Sequence, residues 1–234
     1  MKDNVPALEK KIGIHFKNKE LARNAFVHRS HLNENKNFPL PSNEKLEFLG
    51  DSVLSLITSV YLYKKYPSFK EGDYTEIKSA IVNTGSLAKA AQRLDLGRYL
   101  YLSRGEESGD GRGNKNILAD CFEALIASIF LDKGFNKAYV FVLRYLFKDT
   151  LDHIIREKLY LSAKSKLQEY AQGSYKTVPS YKVLEQTGPE HKRIFKVGVY
   201  LNGKKLAEAI GMSKKEAEEE AAKKTLYKIK GKGL

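Results

Sequence analysis

Two acidic clusters lie within segments otherwise apolar enough to form core helices: Asn43-Glu44-Lys45-Leu46-Glu47-Phe48-Leu49-Gly50-Asp51 and Ile117-Leu118-Ala119-Asp120-Cys121-Phe122-Glu123-Ala124-Leu125-Ile126. A buried charge is costly unless it is paired or coordinates a cation. On helices, Glu47 and Asp51 stand four apart and Asp120 and Glu123 three apart, so each pair projects from one face. Each pair is half of a site for a divalent ion, and Glu44, on the same face as Glu47, adds an oxygen donor in or just outside that site. Hard oxygen donors suit Mg²⁺ or Mn²⁺. In a strongly basic chain such a site points to phosphate chemistry, in which the ion activates a water, binds the scissile phosphate and stabilises the leaving oxygen.

Carboxylates on a helix are usually solvated. The flanks argue against that here. Phe48, Leu49, Val53, Leu54 and Leu56 leave little perimeter for solvent around the first cluster, and Ile117, Leu118, Phe122, Leu125 and Ile126 do the same for the second. A salt-bridge network with a partner helix is the competing explanation. The second cluster contains no basic residue to supply one, although Lys45 lies within the first and Lys115 just before the second.

Other chemistries find little support. His15, His28, His31, His153 and His191 lack the spacing of a zinc site, and no Gly-x-Ser-x-Gly elbow is present. Cys121 is the single cysteine, so no intrachain disulfide can form, and its apolar surroundings read as core. Four glycines in the stretch 105–113 do not end in the Gly-Lys-Ser/Thr of a phosphate-cradling loop, and they predict a flexible surface connection.

These residues need elements to hold them. At 42% hydrophobic and 29% charged, the 234 residues compose a folded chain of one large or two small domains. The first sixteen residues lack the apolar stretch of a secretory signal, and no uninterrupted apolar run approaches the ~20 residues of a membrane span, so the expectation is a cytoplasmic protein with no membrane partner. From 7 to about 155 the apolar residues recur at helical spacing, as in Ile117, Cys121, Leu125 and Ile129. Near Tyr160 the pattern changes. A short helix over 164–172, closed by Gly173, precedes alternating strands in which Phe195, Val197, Val199 and Leu201 share a face. Asn202-Gly203 is a hairpin turn, and Ser213-Lys214-Lys215-Glu216 is a capping box opening a last helix. The order is α-β-β-β-α.

A net charge of +13 calls for a polyanionic partner. Residues 161–234 carry 16 basic against 8 acidic side chains, a balance of +8, while residues 1–160 carry 25 against 20, a balance of +5. The smaller segment is therefore the more polyanion-directed. It offers three stations for an A-form duplex: Ser165, Gln168 and Glu169 on the first helix for minor-groove hydroxyls, the loop Thr187-Gly188-Pro189-Glu190-His191, and Ser213-Lys214-Lys215, where lysines and free backbone N–H groups suit phosphates.

The run Asn43-Glu44-Lys45-Leu46-Glu47-Phe48-Leu49-Gly50-Asp51-Ser52-Val53-Leu54 resembles the signature of bacterial ribonuclease III. Ala25-Phe26-Val27-His28-Arg29-Ser30, Glu71-Gly72-Asp73, Ile117-Leu118-Ala119-Asp120 with Phe122-Glu123-Ala124-Leu125, and Lys166-Leu167-Gln168-Glu169-Tyr170 are similar too, so the resemblance runs from about 8 to 229. It implies an all-α endonuclease domain (5–150), a linker (151–160) and an α+β double-stranded-RNA-binding domain (161–231). It also implies a homodimeric, Mg²⁺-dependent enzyme, with Mn²⁺ able to substitute, that cuts both strands of duplex RNA. The products would have 5′-phosphate and 3′-hydroxyl ends with two-nucleotide 3′ overhangs, and the uses would be ribosomal RNA maturation and turnover of structured transcripts. By the same resemblance Glu47, Asp51, Asp120 and Glu123 hold the metal, with Asp51 and Glu123 the catalytic pair and Glu44 an accessory acid. Phe48 enters the partner subunit, and Gln168, His191, Ser213, Lys214 and Lys215 meet RNA. Two departures stand out: Cys121 follows Asp120, and the second domain opens on Ser162-Ala163-Lys164-Ser165 where an acidic or proline-containing turn is common. The alternative is a non-catalytic dimeric double-stranded-RNA-binding protein, whose mark would be loss of a metal carboxylate.

Overall fold

A computed structural model of the chain describes residues 4–148, 150–189 and 193–231. It divides into two units, Met1–Lys158 and Leu159–Leu234. Among the described residues the first unit is built of helices: α1 (Val5–Ile12), α2 (Lys19–Asn24), α3 (Arg29–Glu34), α4 (Glu44–Lys65), α5 (Glu71–Ile81), α6 (Thr84–Arg93), α7 (Arg104–Ser108), α8 (Lys115–Lys133), α9 (Phe135–Val142) and α10 (Thr150–Arg156). A 3-10 turn (Leu96–Tyr99) precedes α7, and a π-helical turn (Leu143–Phe147) extends α9.

Helix α8 is apolar on nearly every side, and that composition makes it the central helix, with Cys121, Phe122, Ala124, Leu125, Ile126 and Ile129 inaccessible to solvent. Asn114 starts it by accepting the N–H groups of Asn116 (2.9 Å) and Ile117 (3.4 Å), and Gly134, at φ 77°, ends it. Helices α4 and α6 pack against α8. On α6 the buried residues are Leu87 and the small Ala88, Ala90 and Ala91, which allow close approach. On α4 the closest approach is at Gly50: a Cβ there would stand 2.0 Å from the Glu123 carbonyl oxygen, so only glycine fits. Among the described residues α4 is also the one helix long and apolar enough to cross a membrane, yet its Leu46, Val53, Leu54, Ile57 and Leu62 are buried in this fold.

In the first unit two expectations need correction. Phe48 and Leu56 do not close the perimeter of α4; they are 79% and 53% exposed, on the side away from α8. The glycine-rich stretch is pinned rather than loose. Ser103 caps α7 by accepting from Glu106 N–H (3.2 Å), and Arg112 donates to the carbonyls of Gly97 (2.8 Å) and Leu100 (3.1 Å) while pairing with Glu107. Within the stretch 151–160 given to the linker, residues up to Arg156 belong to α10, whose Leu151 and Ile154 are buried.

The second unit runs α11 (Ala163–Tyr175), β1 (Ser180–Thr187), β2 (Ile194–Leu201), β3 (Lys204–Gly211) and α12 (Lys214–Gly231), with an antiparallel sheet in the order β1-β2-β3. Asn202 and Gly203 both take positive φ, 49° and 77°, as a tight hairpin requires. Helix α11 does not close at Gly173; it continues to Tyr175 and ends at Lys176, which adopts the left-handed conformation instead. The core is small and dense: Leu167 and Val199 pack with Ala163, Ala207, Ala209, Ala221 and Ala222. A Cβ on Gly211 would stand 2.5 Å from Ala217 N, which shows how closely α12 meets the sheet. The start of α11 is tied to α12, since Glu219 accepts the N–H groups of Ala163 (2.6 Å) and Lys164 (3.3 Å).

Candidate metal centre

The approach of α4 to α8 at Gly50 brings the two acidic clusters face to face. Carboxylate oxygens of Glu47, Asp120 and Glu123 lie within 4.8 Å of one another. Asp51 does not join that tight group; its side chain is exposed, although its charge acts on Glu123. Glu44 turns outward, accepting a hydrogen bond from Ser42 Oγ (2.6 Å) and lying 3.7 Å from the Arg29 guanidinium.

The electrostatics are those of mutually repelling carboxylates. Burial, then the charges of Asp51, Glu47 and Asp120, push the Glu123 carboxyl up to about 8. Burial also raises Glu47, assisted by Asp120 and Glu44. Asp120 is raised by burial as well, with His28 and Arg29 acting in the opposite direction. Among the described residues none of Glu47, Asp51, Asp120 and Glu123 has an ion-pair partner within 4 Å, so the salt-bridge explanation of the clusters fails. Clustered hard donors, partly desolvated and mutually repelling, fit a divalent cation, which would relieve the repulsion.

Sequence reasoning missed three contributors. Gly50 was legible only as part of a motif, although a glycine inside a long apolar helix between two acids is itself a sign of close approach. His28 and Arg29 precede the first acidic cluster in sequence, and the fold carries them to the acids. Val27 O accepts from Asn43 N–H (2.8 Å), and Asn43, instead of capping α4 with its side chain, donates Nδ2–H to Ala25 O (3.2 Å).

In the second unit Gln168, Ser213, Lys214 and Lys215 are exposed, while Ser165 is half-buried beside the capping Ser162. Ser213 Oγ accepts from Glu216 N–H (3.1 Å), and Glu216 reaches back to Met212 N–H (2.7 Å), one residue earlier than a standard capping box. His191 lies outside the described residues.

Residues 18–150 match the family described as ribonuclease-III-like, and residues 163–229 match the double-stranded RNA binding motif. The chain is 42% identical over 222 residues to ribonuclease 3 of Dehalococcoides mccartyi, covering 95% of this chain and 93% of that protein. It is 43% identical over 222 residues to ribonuclease 3 of Treponema denticola, covering 95% and 89%. Among solved structures it is similar to the nuclease domain of ribonuclease III from Campylobacter jejuni, with a TM-score of 0.58 and 37% identity over 63% of this chain and 99% of that one. That structure concerns flexibility in a region involved in dimer formation.

Proposed function

The chain belongs to the ribonuclease III family of double-strand-specific endoribonucleases, and from that premise we propose that it cuts both strands of duplex RNA at a centre made by Glu47, Asp51, Asp120 and Glu123. The observation that carries this reading is the convergence of three carboxylates within 4.8 Å, unpaired and partly desolvated, at the glycine contact of two core helices. Mg²⁺, or Mn²⁺ in its place, would activate water and stabilise charge on the scissile phosphate and leaving oxygen. The chain's own part is to hold the four carboxylates on rigid helices, with Asp51 and Glu123 the catalytic pair and Glu44 an accessory acid. In the hydrolysis, water oxygen bonds to phosphorus, the bond from phosphorus to the 3′ oxygen breaks, and the 3′ oxygen takes a proton. The ends are a 5′-phosphate and a 3′-hydroxyl, with two-nucleotide 3′ overhangs.

The second domain, 161–231, would grip the duplex through Ser165, Gln168, His191, Ser213, Lys214 and Lys215. Two copies joined through Phe48 would place one centre at each strand, an assembly that the dimer-forming nuclease domain from Campylobacter jejuni supports by likeness. Ribosomal RNA maturation and turnover of structured transcripts in the cytoplasm are the uses such an enzyme fits. The test is Glu123→Gln with a long RNA duplex in Mg²⁺. Cleavage should be lost while a gel shift shows duplex binding largely intact, and near-normal cutting would remove Glu123 from the catalytic set.

A further inference from the structure

A phosphodiester has to approach a centre crowded with carboxylates, so hydrogen-bond donors on the approach side lower the cost of its arrival. Two side chains at the edge of the centre have that chemistry. His28 is held by its backbone, whose N–H donates to Tyr101 O (3.2 Å), and by its ring, whose Nδ1 accepts from Ser30 N–H (3.3 Å) and lies 2.8 Å from Ser30 Oγ. Ser30 Oγ accepts from Ser103 N–H (3.1 Å), leaving its own proton for Nδ1. With Nδ1 the acceptor, the ring proton belongs on Nε2, and Nε2 meets no hydrogen-bond partner among the described residues. The neighbouring Arg29 side chain is 74% exposed and, among the described residues, forms a loose 3.7 Å pair with Glu44, a contact weak enough to exchange for a better anion. Burial holds the His28 ring below its ordinary value, which keeps it neutral, with Glu106, Asp120 and Glu44 the acids around it, and the Arg29 charge acts on Asp120 and Glu47, so the pair borders the acidic centre.

We propose that His28 and Arg29 form a receptor for a backbone phosphate of the RNA strand being cut, with His28 Nε2–H donating to a non-bridging oxygen and the Arg29 guanidinium neutralising its charge. The proposal rests on the acidic centre being the cutting site. The two residues then bind substrate by different physics, one as an uncharged donor in a fixed tautomer and the other as a mobile cation, and this difference can be measured.

The experiment uses the full chain carrying Glu123→Gln, so that RNA is bound without being cut, and reads duplex affinity by gel shift over a range of salt. His28→Asn keeps an acceptor for Ser30 N–H, and so the cap, but removes the donor at Nε2. It should weaken binding about tenfold with the salt slope unchanged. Arg29→Gln should flatten the slope of log affinity against log salt by about 0.7 to 0.9, one phosphate contact. In the cleaving chain His28→Asn should slow single-turnover cutting, and His28→Gln, which returns an N–H near the Nε2 position, should recover part of the rate. Unchanged affinity with His28→Asn and an unchanged slope with Arg29→Gln overturn the proposal. So does a loss that follows a lowered melting temperature and that His28→Gln does not rescue, since that is the behaviour of a cap alone. Failure of the underlying centre shows separately, as normal cutting by the parent Glu123→Gln chain.

Discussion

Two carboxylates on α8 show how surroundings divide structural from functional acids. Burial pushes the Asp132 carboxyl up, but the backbone N–H groups of Asn18 (2.8 Å) and Lys17 (2.9 Å), together with Lys133 (3.2 Å), outweigh it and hold the group below its ordinary value. Glu123 has neighbours of its own sign instead and moves the other way, to about 8. Asp132 is thus satisfied by the fold, while Glu123, crowded by charges of its own sign, gives up its proton readily only beside a cation that offsets them. Because Asp132 is depressed in the folded state, its stabilising effect is complete above the unfolded value near 4 and is lost as pH falls through the lower folded value. Asp132→Asn, which gives up charge-assisted bonds between the start of α2 and the end of α8, should cost about 1–3 kcal/mol at pH 7. Denaturant unfolding at several pH values should show the gap between variant and parent closing in acid, below about pH 4. A gap independent of pH would mean that the shape of the side chain, not its charge, holds this corner.

At the scale of elements, the centre depends on how near α4 can come to α8. A methyl group at position 50 would stand 2.0 Å from the Glu123 carbonyl oxygen, well inside van der Waals contact, so Gly50→Ala must push the helices apart. Alanine is the better helix former by ~1 kcal/mol, but overpacking should outweigh that by costing about 1–3 kcal/mol or more. Because the displaced contact sits between Glu47 and Asp51 on one helix and at Glu123 on the other, cleavage should fall further than stability does. Thermal melting beside a cleavage assay checks both, and a variant with a raised melting temperature and full activity would show that the helices have room. The spacing of Glu47, Asp51, Asp120 and Glu123 was legible in the sequence because helical periodicity is local, and the strand alternation with its Asn202-Gly203 turn was legible for the same reason. Features that depend on distant partners were not. The outward turn of Asp51 is a side-chain choice, the pinning of the glycine stretch depends on Arg112 meeting Gly97 and Leu100, and α11 runs past Gly173 because Lys176 takes the left-handed position instead.

For the whole molecule, charge and apolar surface point to two kinds of association. The second unit has the denser positive charge, so deleting residues 159–234 should weaken duplex affinity while leaving the acidic centre intact, and each lost phosphate contact should flatten the salt slope by about 0.7 to 0.9. Unchanged affinity and slope would move RNA binding to the helical unit. The first unit instead exposes apolar side chains along α4, with Phe48 79%, Leu56 53% and Tyr63 73% exposed. Phe48 lies between Glu47 and Asp51, so turning it into its own core would rotate the acids away from α8; one helix cannot serve both demands within a single copy. A second copy would resolve the conflict. In the isologous contact proposed above the same stripe would meet itself about a two-fold axis, each Phe48 would enter the other subunit, and the two acidic centres would become available to the two strands of one duplex. Phe48→Asp would place an unpaired charge in that apolar contact, at a cost large enough to separate the subunits. Sedimentation should then show a dimer for the parent chain at micromolar concentration and a monomer for the variant, whose products should be nicked duplexes instead of paired cuts. A parent chain that sediments as a monomer yet makes paired cuts at the full rate would defeat the dimer arrangement.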